Sequence, residues 1–102
     1  KQYHEQVLKG FGDDATVSIA KRDIIVYRYY SGSNPKGYWI TPYQYSNPIS
    51  ALALDTTTNS AEHMTQFILK KGTLLIEGKV VPLNGQIGGG YQFYIWNLES
   101  LL

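Results

Sequence analysis

Arg28 stands alone among apolar and aromatic residues in Ile24-Ile25-Val26-Tyr27-Arg28-Tyr29-Tyr30. An arginine in such a strand either faces solvent or is half-buried. In the second case it needs an anion, because its guanidinium stays charged and offers paired N–H donors that match phosphate or carboxylate. Gly88-Gly89-Gly90 directly precedes Tyr91-Gln92. Ordering three glycines costs backbone entropy, so the run is either a slack hairpin loop or a place of positive φ or close backbone approach to a ligand. It lacks the Gly-Lys-Ser/Thr ending and the following helix of a phosphate-binding loop. Tyr27, Tyr29, Tyr30, Tyr38, Trp39, Tyr43 and Tyr45 crowd into two segments. Flat rings with polar tips either fill a small β-rich core or wall a slot for a planar ligand. His63 is a candidate general base or a plain surface histidine. Glu77 reads as solvent-facing, and no two carboxylates have a spacing that forces an acid/base dyad.

The scaffold that must position these groups is small. At 102 residues the chain makes one domain with one core, burying roughly 60–70% of its unfolded surface. Nine Lys and Arg against eight Asp and Glu give a formal charge of +1, so the broad basic field that draws nucleic acid is missing and no nucleic-acid partner is expected. Nine tyrosines are the compositional outlier. The absence of cysteine excludes disulfides and thiolate metal sites. Any metal would rest on His4, His63 and carboxylates, and no metal cofactor is expected. No apolar run approaches membrane-spanning length and no leader pattern opens the chain, so no stable membrane association is expected. The chain starts at Lys1 and ends Trp96-Asn97-Leu98-Glu99-Ser100-Leu101-Leu102, which reads as a C-terminal module, either an excised segment of a longer polypeptide or a processed product.

Residues 4–9 followed by Gly10 read as the last turns of a helix, with 1–11 as a connector. Residues 24–30 form a strand ended by Ser31-Gly32-Ser33-Asn34-Pro35. Residues 37–42 form a second extended piece stopped by Pro42. Asn47-Pro48 opens a short helix with Ile49, Leu52 and Ala53 on one face. Asn59-Ser60-Ala61-Glu62 has the spacing of a capping box and predicts a turn or two of helix carrying His63. Strands follow over 65–70 and 73–81, with Gly78 a candidate bulge. Residues 83–90 form a loop, and a last strand over 91–96 places Tyr91, Phe93 and Ile95 on one side with Gln92, Tyr94 and Trp96 on the other. The expectation is an α+β fold of about five short strands and two or three short helices.

Taken in order, Arg28, the segment ending Tyr38-Trp39-Ile40-Thr41-Pro42, the helix Asn47-Pro48-Ile49-Ser50-Ala51-Leu52-Ala53-Leu54, Asn59-Ser60-Ala61, the strand Gly72-Thr73 to Glu77-Gly78-Lys79-Val80-Val81-Pro82 and the final Gly88-Gly89-Gly90-Tyr91-Gln92 resemble the NAD-consuming C-terminal toxin domains of bacterial polymorphic toxins. The resemblance covers roughly residues 22–97. It is strongest to small Rhs-type toxins that ADP-ribosylate elongation factor Tu, and more distant to necrotising-toxin NAD glycohydrolases, which share the early arginine and late Gly-Gly-Gly-x-Gln. It implies a reduced ADP-ribosyltransferase-like fold of two small packed antiparallel β-sheets, with 1–102 one catalytic toxin domain and 22–97 its NAD-binding core.

The same resemblance implies that Arg28 holds the NAD diphosphate or orients the nicotinamide ribose. Gln92 takes the last-strand catalytic position, where many transferases carry glutamate. An amide cannot take a proton, so Gln92 is left to hydrogen-bond the ribose hydroxyls. A Ser-Thr-Ser strand motif is not recognisable, and Asn59 with Ser60 is placed in its neighbourhood. Tyr29, Tyr30 and the Gly88, Gly89 and Gly90 backbone are expected to grip the dinucleotide, and Tyr38, Trp39, Thr41 and Tyr43 to line the nicotinamide slot. Cleavage of the nicotinamide–ribose bond needs no general acid, because the pyridinium nitrogen is already positive. Water as acceptor gives a glycohydrolase with Glu62 or His63 as its candidate water-activating group; a macromolecule such as elongation factor Tu gives a transferase, the leading expectation. The resemblance further implies a cognate immunity protein, delivery from the producing cell and action in the target-cell cytoplasm. Two other classes stay open: a metal-independent ribonuclease built on His63 or His4 with lysines and tyrosines, and a non-catalytic module binding a glycan through its aromatic surface.

Overall fold

The computed structural model describes residues 11, 15–33 and 35–102; the connector helix expected over 1–11 falls on residues 1–10, outside them. In chain order the elements are β1 (Thr16–Ile19), β2 (Ile24–Tyr30), β3 (Trp39–Ile40), α1 (Pro48–Ala51), β4 (His63–Leu69), β5 (Leu74–Lys79), β6 (Tyr91–Ile95) and a 3-10 turn at Leu98–Ser100. They build two antiparallel sheets, one of four strands in the order β1-β5-β6-β3 and one of two, β2-β4. The strand-rich α+β expectation holds at this level.

The long strands form where β-branched and aromatic residues run between turn residues. In β2, Val26 is buried while Ile25 faces out, the period-two alternation of a sheet with one covered face. Strands β5 and β6 lie inside the larger sheet and are buried on both faces. Leu75, Phe93 and Ile95 join Val26, Ile40, Leu69 and Leu101 in the main core, and Ile76 and Tyr94 join Phe11 in a second cluster, packed against Trp39. Each fully buried aliphatic side chain contributes roughly 1.5–3 kcal/mol. The chain end closes the main core: Leu101 bridges Leu69, and the Ile68 and Leu102 backbones exchange hydrogen bonds of 3.0 and 2.9 Å.

A backbone bridge ties the two sheets together beside their shared core. Tyr27 and Thr41 exchange backbone hydrogen bonds of 2.8 and 2.9 Å, joining β2 to the residue that follows β3.

Several expectations are corrected. The predicted helical turn at 59–62 is absent. The Asn59 side chain accepts the Ala61 N–H at 2.9 Å and donates to the Tyr29 carbonyl at 3.0 Å, and Ala61 sits at φ 56°, a left-handed conformation that a helix cannot continue through. Strand β4 therefore begins at His63, opposite Tyr30. Gly78 is not a bulge; it pairs with Gln92 in an unbroken ladder from Leu75↔Ile95 to Lys79↔Tyr91. The edge strand β1 was not expected; it is held by pairing with β5 from Thr16↔Glu77 to Ile19↔Leu74. Helix is limited, among the described residues, to α1 and the 3-10 turn.

Candidate functional site

A cleft of about 420 Å³ opens where β2, β3 and β6 meet the loop over residues 52–59 and the turn at 83–84. This volume is in the range of small-molecule sites. Arg28 lines it and is held on two sides. Its Nη1 donates to the Trp39 carbonyl at 3.2 Å, and its guanidinium lies so close to Gly37 that a methyl group there would overlap it. The Nε is buried without a hydrogen-bond partner. Burial lowers the pKa of Arg28 below the usual arginine value; the group remains a cation. A half-buried cation with an unanswered donor is costly in the empty protein and complementary to an anion.

Gln92 reaches the cleft from β6 and is 8% exposed. Opposite it in the ladder stands Gly78. Arg28 and Gln92 are brought to one cavity by Thr41, itself 1% exposed. The Thr41 backbone pairs with Tyr27, and its hydroxyl donates to the Tyr91 carbonyl at 2.6 Å. Residues 27 and 91 immediately precede the two site residues. Tyr45 adds a second tie. Its N–H donates to the Tyr29 hydroxyl at 2.7 Å, that hydroxyl donates to the Tyr45 carbonyl at 3.3 Å, and the Tyr45 hydroxyl accepts the Tyr91 N–H at 2.8 Å.

Of the residues singled out in the sequence, Arg28, Tyr29, Trp39, Thr41, Asn59 and Gln92 share this cleft. Tyr30, Tyr38, Tyr43, Gly88, Gly89 and Gly90 are not on its wall. Tyr30 packs on His63 with ring centroids 5.2 Å apart, which places His63 at the start of β4, exposed and away from the cleft. Tyr38 lies beside Tyr94, and Tyr43 is edge-on to Tyr45; both are exposed. Glu62 is exposed as well. The glycine run serves the fold. Its three N–H groups donate to the carbonyls of Ser50, Val80 and Ala51 at 2.8, 2.8 and 2.9 Å, which straps α1 against the end of β5 and leaves none of them to cradle a phosphate. Gly88 sits at φ 75°, with Val80 and Val81 carbonyls where a Cβ would go. No cluster of three or more His, Asp or Glu that could hold a metal ion occurs among the described residues.

This fold recurs in solved structures. Tse6, determined in complex with Tsi6, matches with a TM-score of 0.78 at 18% sequence identity, over 100% of this chain and 82% of its own. Tne2, determined in complex with Tni2, matches with a TM-score of 0.73 at 14% identity over 90% of each chain. No protein-family model and no curated protein matches the sequence. At these identities the likeness is one of backbone architecture.

Cleft residues that the sequence reading passed over lie on the loops. Asp55 is the one carboxylate on the wall among the described residues, with Thr58 and Asn84 beside Leu52, Ala53, Leu54 and Leu83. The Asp55 Oδ1 accepts the Thr57 hydroxyl at 2.6 Å and its N–H at 3.0 Å. These two donors hold the Asp55 carboxyl below its ordinary pKa. Asn84 and Gly85, at φ 54° and 74°, are the centre of a two-residue hairpin turn closed by Leu83 and Gln86, and Asn84 donates to the Ala53 carbonyl at 3.1 Å. The dipeptide Asn-Gly is the sequence signal for that turn.

Proposed function

We propose that the domain is a bacterial toxin module that breaks the nicotinamide–ribose bond of NAD+. The observation that carries this reading is Arg28, a half-buried cation whose Nε lacks a partner, lining one cleft with Gln92, Trp39 and Tyr27. Two things support it. The motif order from Arg28 to Gln92 resembles NAD-consuming toxin domains, and the fold is shared with Tse6 and Tne2, each determined with a second protein bound. On this reading the sheets are a reduced ADP-ribosyltransferase-like fold, with Arg28 on an early strand and Gln92 on the last.

Heterolysis of the glycosidic bond sends the bonding pair to the pyridinium nitrogen, so nicotinamide leaves neutral and an oxocarbenium ion remains on the ribose. The work of the site is therefore orientation and charge placement. Arg28 holds the diphosphate, and binding energy from that remote part of the substrate serves to position the ribose. Gln92 hydrogen-bonds the ribose hydroxyls, and the wall that Tyr27, Trp39 and Thr41 line receives the nicotinamide. Water is the acceptor this cleft serves best, giving ADP-ribose, nicotinamide and a proton. An oxocarbenium is captured by water without a base, whereas the described cleft places no carboxylate at the Gln92 position to hold or deprotonate a side-chain acceptor. Transfer to a protein such as elongation factor Tu is the second reading, favoured by the motif order shared with Rhs-type toxins. A cognate immunity protein that covers the cleft is the implied partner, with delivery from the producing cell and action in the target-cell cytoplasm.

The test is to incubate the domain with labelled NAD+, with and without bacterial extract. Free ADP-ribose is expected. Label on a protein selects transfer, RNA cleavage without NAD+ selects a ribonuclease, and intact NAD+ in every mixture overturns the proposal. Folded Arg28→Ala and Gln92→Ala variants are expected to lose turnover; full activity in both would sink the residue assignment.

A further inference from the structure

Gly37 is buried and lies off the cleft wall, directly behind the Arg28 guanidinium. A Cβ built on it would stand 2.3 Å from Arg28 Cζ, 2.5 Å from Nη2 and 2.6 Å from Nη1. The carbon is nearer than either nitrogen, so the glycine meets the face of the planar group; an approach along its edge would bring a nitrogen first. The donors of a guanidinium lie in its plane, so covering the face leaves their directions open. The described residues give the group one acceptor, the Trp39 carbonyl at 3.2 Å from Nη1, and give Nε none. A planar group on one hydrogen bond is free to swing about it. The Gly37 backbone removes that freedom: the carbonyl fixes one corner and the glycine fixes the plane. Both constraints come from the short segment Gly37-Tyr38-Trp39.

We propose that Gly37 is a positioning residue for Arg28: having no side chain, it seats the guanidinium, and any Cβ there would unseat it and weaken capture of an anion in the cleft. The consequence for turnover rests on reading the cleft as an NAD+ site; the seat itself does not. Gly37 is not among the glycines of positive φ, so alanine adopts its backbone without left-handed strain. The three nearest atoms in the way all belong to the end of one long, flexible side chain. That end can yield while the fold stands. Non-bonded atoms rest about 3.5–4.0 Å apart, so the guanidinium must move by about 1 Å or more. Misplacement on that scale costs about 100-fold in a reaction that depends on positioning.

The experiment compares the native domain with Gly37→Ala by urea unfolding, by kcat/KM for NAD+ and by the NMR signals of the arginine Nε–H groups. Arg22 and Arg28 are the only arginines, and loss of a signal in Arg28→Ala identifies the one that matters. Gly37→Ala is expected to unfold near the native urea concentration, to shift the Arg28 Nε–H signal and speed its exchange with solvent, and to lose about 100-fold in kcat/KM. If Gly37→Ala does not fold, Gly37→Ala combined with Arg28→Ala is expected to fold, because the obstructing group is gone; failure of both overturns the seat. An unmoved Nε–H signal, or turnover that falls only with the folded fraction, overturns it as well. A native domain that leaves NAD+ intact, with the signal still moved by Gly37→Ala, refutes the NAD+ reading and upholds the seat.

Discussion

The Thr41 hydroxyl is hydrogen-bonded to the Tyr91 carbonyl at 2.6 Å, and the same residue pairs through its backbone with Tyr27. One buried threonine thus fixes the spacing between the strand that carries Arg28 and the strand that carries Gln92. Thr41→Val keeps the shape and removes the donor, leaving the Tyr91 carbonyl without that partner. A loss of about 1–3 kcal/mol in urea unfolding is expected, with turnover falling further than the unfolded fraction explains. Thr41→Ser, which restores the hydroxyl, is expected to recover most of both. Turnover in Thr41→Val that tracks the folded fraction alone would show that the bond stabilises the fold without aligning the site.

Arg28 should trade stability against activity. Its Nε is buried and unpartnered, so the folded protein bears a desolvation cost that Arg28→Met removes while keeping much of the side-chain volume. Arg28→Met is expected to unfold at the same or higher urea concentration, by up to about 2 kcal/mol, and to lose at least about 100-fold in NAD+ turnover. A strongly destabilised Arg28→Met would mean that the guanidinium is structural.

The glycine run separates conformational strain from steric overlap. Gly88 and Gly89 both have positive φ, 75° and 92°, yet a Cβ at Gly89 meets nothing within 4 Å, whereas at Gly88 it would lie 2.7 Å from the Val80 carbonyl oxygen. Gly89→Ala is expected to cost about 1–2 kcal/mol, the ordinary left-handed penalty. Gly88→Ala must cost more, because the β5 backbone or the strap over α1 has to move. Equal melting temperatures for the two variants would contradict the strap.

Which parts of this molecule can be read from sequence follows from the range of the interactions. Strands β2 and β6 are marked locally by apolar and aromatic runs, and Arg28 and Gln92 stand out on them as polar exceptions. Asn59 shows the opposite case. Its neighbours spell a capping box, but its side chain bonds the Tyr29 carbonyl 30 positions away, and that tertiary bond overrides the local pattern. Asn84 likewise reaches Ala53 across 31 positions, so its place on the cleft wall has no local signature beyond the Asn-Gly turn itself. Strand β1 depends on β5 for its definition, and its Val17 and Ile19 are exposed, so no buried face marks it. Glycines 88–90 are marked as unusual by composition alone, while their structural task appears only once the carbonyls of Ser50, Val80 and Ala51 are in place.

Alkaline pH should report on Tyr91. Its hydroxyl donates to Glu77 Oε1 at 2.7 Å, and desolvation, followed by the hydrogen bond and charge of Glu77, pushes its pKa up to about 12. An unfolded tyrosine ionises at about 10. Below about pH 10 both states keep the proton and the contribution of the pair is complete. Between that value and the folded pKa of about 12 the unfolded chain releases its proton first, so stability falls as pH rises, and above it no further loss comes from this group. Tyr91→Phe removes the titration. Urea unfolding followed across this window should therefore show a steeper decline for the native domain than for Tyr91→Phe, with ultraviolet absorbance showing one tyrosinate fewer at the alkaline end. Parallel declines would assign the alkaline sensitivity to other groups and leave the Tyr91–Glu77 bond without a role in it.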